Sequence, residues 1–482
     1  MILQNLILPN RICDMEELCF RHRGSVKLRE EHLCLEGGSI LETDTYFNLF
    51  DAGTWEKYTG IRQFQCVSEL MGKGIFSLYF YDAGKDMDRL VAEVSFSDKQ
   101  KQEIIFDFSA KSEGYFFVKI AADEEVEIFR IAFGSRESEK RKVRLGVDIC
   151  TYRRKEQLER NLETFLNSDF FREGSDLYGK LRICVVDNAS ELKDEHLPFI
   201  SLVHNKNTGG SGGFARGIEE LKGETGLTYM VFMDDDVEFL PETFYRLYAL
   251  LSCLSKEYEE YVVAGRMFRM DQRSIQYTAA EIWNGGQIGH VGFQKDMTKK
   301  ENLTRLNDST GAEYTGWWFG CFPMDFVREN MPLPFFIHCD DVEYGLRHGG
   351  TPIILNGIQV WHETYEYRQS PAMTYYDLRN SYFVNDLYGL WNDEEEPIEH
   401  WKKAITKEHL KEDYLNEYML IQAFLDYTKG IRWLKKIDSG RYHKKLLVSK
   451  AGRIKTAVLW RIAEVSYRQK TKAQLETGGT YE

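Results

Sequence analysis

The segment that most constrains this chain is TYMVFMDDDVEFL (228–240), where the apolar run Tyr229-Met230-Val231-Phe232-Met233 stops abruptly at three adjacent carboxylates. A run without polar alternation predicts a strand buried on both faces, as in a sheet covered by helices. Neighbouring negative charges at the end of a buried strand repel one another and need a counter-charge. Alternate residues of an extended segment point the same way, so Asp234 and Asp236 can converge on one cation while Asp235 faces elsewhere. A hard divalent ion such as Mn²⁺ or Mg²⁺ suits these oxygen ligands and keeps positions open for phosphate oxygens. A solvated acidic turn is the alternative.

At 482 residues the chain is expected to form two or three domains. A formal charge of −14 argues against nucleic acid as a general partner. The nine cysteines are scattered and form no CxxC pair, which suits reduced thiols better than a disulfide framework or zinc site. The opening MILQNLILPNRICD has neither a basic segment nor a long apolar core, so no signal peptide is expected. No run reaches the roughly 18 apolar residues of a membrane span. These features predict a cytoplasmic protein, soluble or at most peripheral to a membrane.

Between about 24 and 134, aromatic and β-branched runs recur at 61–70, 74–84, 89–98, 102–110, 114–122 and 126–134. Their period-2 character predicts an antiparallel β-sandwich of short strands. The charged run ESEKRKVR (137–144) marks a linker, after which strands alternate with helices. Strands are expected over 144–152, 181–190 and 201–205, with helices over 154–167, from SGGFARG onward and from Pro241. Repeated β-α-β units imply a mostly parallel sheet with ligands at the carboxyl ends of its strands. From about 373 the pattern is helical, and the closing stretch 431–472 is strongly basic with apolar residues at helical spacing. That stretch is either a solvated or subunit-contact face, or a helix that docks on anionic lipid.

Several polar clusters fall at predicted strand ends. Arg153 and Asp187 suit the phosphate and the base or ribose of a nucleotide, or else cap and turn the chain. The run from Asn207 to Gly217, with Gly210 inside it, allows close backbone approach to an anion at a helix start, or is a flexible loop. Trp317 and Trp318 lie among glycines and can form a sugar-facing wall or pack in the core. Asp340 and Asp341 open a helix after an apolar run; one can act as a general base while the other caps. His362, in WHE at the end of a strand, can complete a metal shell with the acidic triplet.

Taken in order, NTGGSGGFARG, FMDDDV, YTGWW, FIHCDDVEYGLR, VWHE and YYDLRNS resemble glycosyltransferase family 2. The finer pattern resembles the bacterial galactofuranosyltransferases that polymerise galactan. That resemblance implies a multidomain chain: an N-terminal β-sandwich (1–140), a central α/β transferase domain of GT-A type (141–375) and a helical C-terminal region (376–482). It implies inverting transfer from UDP-galactofuranose to a hydroxyl of a glycan or lipid-linked glycan acceptor. Asp234, Asp236 and His362 would hold Mn²⁺ or Mg²⁺, Asp341 would be the base, and Asp340, Trp317 and Trp318 would meet the acceptor. Arg153, Asp187, Asn207, Gly210 and Asp235 would contact the UDP part. Symmetric homo-oligomers and a place at the membrane surface are implied as well. The rival readings are a family 2 enzyme using dTDP-rhamnose or a UDP-hexose, and a noncatalytic glycan-binding protein built on the sandwich.

Overall fold

The structure is a computed structural model that describes residues 1–29, 32–137, 139–193, 199–364 and 370–477. Its N-terminal region is antiparallel β, as the alternation predicts, but the strands are long. The six expected runs pair off into three strands, Gln63–Asp82, Met87–Ser109 and Gly114–Gly134. The break between the first two runs, at Gly72, is a bulge within one strand. At Gly72 φ is +114°, and an added Cβ would sit 2.1 Å from the Glu125 carbonyl oxygen. The register with the neighbouring strand shifts there, which is how a strand absorbs an irregularity without ending. Gly114–Gly134 is central, pairing with Gln63–Asp82 along one edge and with Ile2–Asn5, His32–Leu35 and Ile40–Glu42 along the other. All eight strands form one hydrogen-bonded sheet.

The transition near residue 144 is real. A nine-stranded sheet begins with Ile200–His204, Leu181–Asp187, Leu145–Thr151 and Tyr229–Asp234, all parallel. It continues through Phe319–Pro323, Val263–Arg269, Ile275–Thr278 and Lys295–Asp296 with antiparallel pairings, while Ile353–His362 lies parallel to Val263–Arg269. The sheet is therefore mixed rather than mostly parallel. The reason is local: the stretch between Val263 and Pro323 contains no α-helix to carry a right-handed crossover.

The acidic triplet's strand is buried as predicted, with Tyr229 to Met233 all at 0% exposure. Phe232 packs edge-on against Phe322 and Tyr344 and tilts against Trp317, and burying such a ring contributes about 1.5–3 kcal/mol. The helix after the triplet, Pro241–Cys253, starts at Pro241, whose missing N–H costs nothing at a helix start. Buried polar contacts join this sheet to the N-terminal one. Tyr46 donates to Gln359 Oε1 at 3.1 Å, Asn356 donates to the carbonyls of Tyr46 and Leu49, and buried Arg246 reaches the Asn5 carbonyl.

The C-terminal region is helical: Pro371–Leu387, Glu396–Leu410, Tyr414–Tyr427, Ser439–Leu447 and Arg453–Thr477 are its main elements. Trp401 stacks on Phe424 with ring centroids 4.3 Å apart at its centre. Among the described residues no helix is long and apolar enough to cross a membrane.

Candidate active site

The parallel strands end together, which brings their C-terminal residues to one rim. Asp234 closes its strand and Asp236 lies just beyond it, while His362 closes the strand Ile353–His362. The imidazole Nε2 stands 3.1 Å from Asp236 Oδ1 and 3.6 Å from Asp234 Oδ2. One ligand atom from each of the three residues lies within 4.8 Å of the others. Two carboxylates and an imidazole at this separation fit a divalent ion of the Mn²⁺ or Mg²⁺ kind. Burial first, and the charges of Asp236 and Asp235 after it, push the Asp234 pKa up to about 7 against the pull of His362. Such a corner calls for positive charge.

Arg154 supplies part of it. Its Nη1 bridges Asp235 Oδ1 at 3.0 Å and Asp236 Oδ2 at 2.8 Å. Arg153, the residue expected at the phosphates, lies elsewhere. Arg153 has φ +58° and points outward to Glu191, with 63% of its side chain exposed. Asp235 does not face away from Asp236, since one Arg154 nitrogen holds both carboxylates, and it is 3% exposed beneath the turn, where Asn161 donates to its carbonyl. It is held by Arg154 rather than presented to a ligand.

Asp187 also has local employment. Its Oδ1 accepts from the Ala189 amide at 2.9 Å, and its Oδ2 from those of Glu191 and Leu192 at 2.7 and 2.8 Å. At 1% exposure it builds the turn after its strand. Asn207 Oδ1 likewise accepts from the Gly209 amide at 3.0 Å.

The glycine-rich helix Gly209–Leu221 is as much a packing device as an anion cradle. Cβ atoms on Gly213 and Gly217 would meet Cys150 Sγ at 2.1 Å and Asp148 Oδ1 at 1.9 Å. Asp148 is fully buried there with neither oxygen partnered among the described residues, so burial raises its pKa well above the usual range. At the start of the helix, Gly209 adopts φ +74° against Phe336, and Ser211 Oγ donates to Asp340 Oδ2 at 2.8 Å. Gly210 faces Asp340 too, its added Cβ falling 3.8 Å from Oδ2. The loop thus abuts the second carboxylate pair.

That pair opens the helix Asp340–His348. Just before it, Phe336, His338 and Cys339 have φ of +78°, +64° and +62°, a conformation that costs L-residues about 1–3 kcal/mol each. Asp341 Oδ1 accepts from the Val342 amide at 2.8 Å. Its pKa is held well above the ordinary range by burial, then by Asp340, Glu281 and, more weakly, Asp234. Glu281, which no motif singles out, is 3% exposed and lies 3.1 Å from His290 Nδ1.

The two tryptophans do not form a wall. Trp317 is 4% exposed among Phe214, Phe232 and Tyr344, and Trp318 is 2% exposed and donates its Nε1–H to the Gly265 carbonyl at 2.8 Å. The glycines around them admit bulky rings to the core: a Cβ on Gly316 would sit 2.1 Å from the Trp318 ring.

Residues 147–319 match the glycosyl transferase family 2 domain. The chain carries a family 2 glycosyltransferase domain. It is also galactofuranosyltransferase-like in sequence. The galactofuranosyltransferase GlfT2 of Mycolicibacterium smegmatis is 23% identical over 376 residues, which is 71% of this chain and 57% of that protein. GlfT2 of Mycobacterium tuberculosis is 26% identical over 231 residues, 44% of this chain and 34% of that protein. The matches thus span only part of the relatives' length. Residues 1–349 of Staphylococcus aureus TarS align at 14% identity and TM-score 0.37, covering 68% of this chain and 92% of that one, too loosely to bear on the argument. The family 2 match begins in the first strand of the transferase sheet and takes in the acidic triplet and both tryptophans; Asp340, Asp341 and His362 follow it in the chain.

Proposed function

We propose that this chain transfers galactofuranose from UDP-galactofuranose to a hydroxyl of a cell-surface glycan acceptor, with inversion at the transferred carbon. The supporting observation is the convergence of Asp234, Asp236 and His362 at the strand ends, in a chain whose helix Asp340–His348 opens on a separate carboxylate, Asp341. Bound at the cluster, Mn²⁺ or Mg²⁺ would neutralise the charge that gathers on a departing diphosphate. Arg154 stands beside the same carboxylates and can add a second positive charge. Asp341 takes the proton from the acceptor hydroxyl as its oxygen bonds to the anomeric carbon and the carbon–oxygen bond to UDP breaks. Asp340, fixed by Ser211, orients the acceptor sugar beside it.

The same reading divides the chain into a β-sandwich domain over 1–140, a GT-A-type domain over 141–375 and a helical region over 376–482. It also places the protein at the inner face of a membrane. On the helix Arg453–Thr477, Val458, Ile462 and Val465 are 55%, 48% and 55% exposed. These positions share one face, flanked by the exposed cations Lys455, Arg461 and Arg468. The full chain should co-sediment with vesicles rich in anionic lipid, less so in high salt or as Ile462→Glu. Equal recovery with neutral vesicles would remove the membrane assignment.

A panel of UDP-galactofuranose, UDP-glucose and dTDP-rhamnose tests the donor. Metal-dependent release of UDP from the first, at least about 10-fold faster than from UDP-glucose, is the expected result; one fewer good contact is worth roughly that factor. Turnover of dTDP-rhamnose alone would move the enzyme to another substrate. Absence of metal-dependent nucleotide binding, with glycan retention instead, would make it a binding protein.

A further inference from the structure

The helix Pro371–Leu387 carries YYDLRNS, to which the proposed transfer gives no role. Its side chains converge on one short segment of backbone. Arg379 Nη2 donates to the Phe335 carbonyl at 2.6 Å, and Asn380 Nδ2 to those of Ile337 and His338 at 2.8 and 2.9 Å. Arg379 Nε donates to Asn380 Oδ1 at 2.9 Å, which turns the amide nitrogen toward those carbonyls. Asp377, one turn earlier, pairs with the His338 imidazole.

The gripped segment is the left-handed turn that leads into Asp340 and Asp341. L-residues stay in that conformation only where their surroundings over-determine it. From one side the surroundings are Gly209 and Ser211, the latter donating its amide to the Phe336 carbonyl at 3.2 Å. From the other they are Arg379 and Asn380, buried at 2% and 0% exposure, with Asp377 at the rim. A hydrophobic cluster alone would not require so many polar groups aimed at four consecutive residues.

We infer that Asp377, Arg379 and Asn380 are positioning residues: they hold the turn and thereby aim the two carboxylates that follow it. The inference rests on the assignment of Asp341 as the base. A base displaced by about 1 Å costs about 10²-fold in rate while leaving distant contacts in place. Their loss should therefore lower kcat and spare the binding of UDP.

Asp377→Ala is the informative variant, because 58% of that side chain is exposed and its removal leaves the core intact. Full-length protein is assayed with the donor that the panel identifies, alongside Mn²⁺-dependent UDP binding and thermal melting. The expected result is a kcat lowered about 10–100-fold, with UDP affinity and Tm at wild-type values and part of the rate restored by Asp377→Glu. Asn380→Ala should show the larger fall in kcat. A wild-type kcat in Asp377→Ala overturns the inference, as does a parallel loss of rate, UDP affinity and Tm. Asp341→Asn in the same assay separates the two claims. An active Asp341→Asn refutes the base, whereas an inert one beside an unimpaired Asp377→Ala refutes the clamp alone.

Discussion

Asp341→Asn should lower the transfer rate by about 10²–10⁴-fold, the range that a general base contributes, and leave Mn²⁺-dependent UDP binding nearly unchanged. The substitution keeps the shape and the bond to the Val342 amide, and removes only the ability to take a proton. The wild-type pH profile follows from the same group. Burial, then Asp340, Glu281 and Asp234, raise the Asp341 pKa, so its protonated, inactive form persists to higher pH than for a carboxylate near the ordinary value of about 4. Activity should therefore climb with pH along an acid limb that lies above that value. Steady-state rates from pH 5 to 8 and isothermal titration with UDP check both claims. Should Asp341→Asn lose UDP binding as fully as Asp236→Ala, the residue belongs to the donor site and its role as base is wrong.

Removing a proposed metal ligand should act at the other end of the reaction. Asp236→Ala takes away an oxygen that lies 3.1 Å from His362 and the partner that Arg154 holds at 2.8 Å. Loss of an outer-shell partner already weakens metal binding about 10–100-fold, so loss of a direct ligand should weaken Mn²⁺-dependent UDP binding by at least about 100-fold. Chelation of the wild-type protein should reproduce the effect, and millimolar Mn²⁺ should restore the wild type but not the variant. Titration of UDP with and without metal is the measurement. Equal UDP affinity in both conditions would mean that Asp234, Asp236 and His362 hold no ion that the donor uses.

Much of this was legible in the chain because burial and charge write themselves into sequence. The strand 229–234 reads as buried since nothing polar interrupts it, and the order of Asp234, Asp236, Asp340, Asp341 and His362 along the chain survives folding. What was not legible depends on which side of an element a group faces. Arg153 and Arg154 are adjacent and chemically identical, and only the left-handed φ of the first sends it outward and the second toward Asp236. Trp317 and Trp318 looked like a binding wall because their glycine neighbours suggested open space. Those glycines instead make room for the indoles inside. The first long N-terminal strand divides into two runs on sequence because Gly72 signals a turn and a bulge alike. Asp377, Arg379 and Asn380 had a motif but no visible task until the His338 imidazole and the carbonyls of 335–338, about 40 residues earlier, came alongside.

The bridge from Arg154 to Asp235 and Asp236 has a consequence for how the protein lives between turnovers. A guanidinium already lodged in the acidic corner acts as a resident placeholder, so the corner can assemble without waiting for a metal. A divalent ion arriving at Asp234, Asp236 and His362 would then share the Asp236 carboxylate with that guanidinium. On the proposed reading, metal scarcity should lower the rate before it lowers the amount of folded protein.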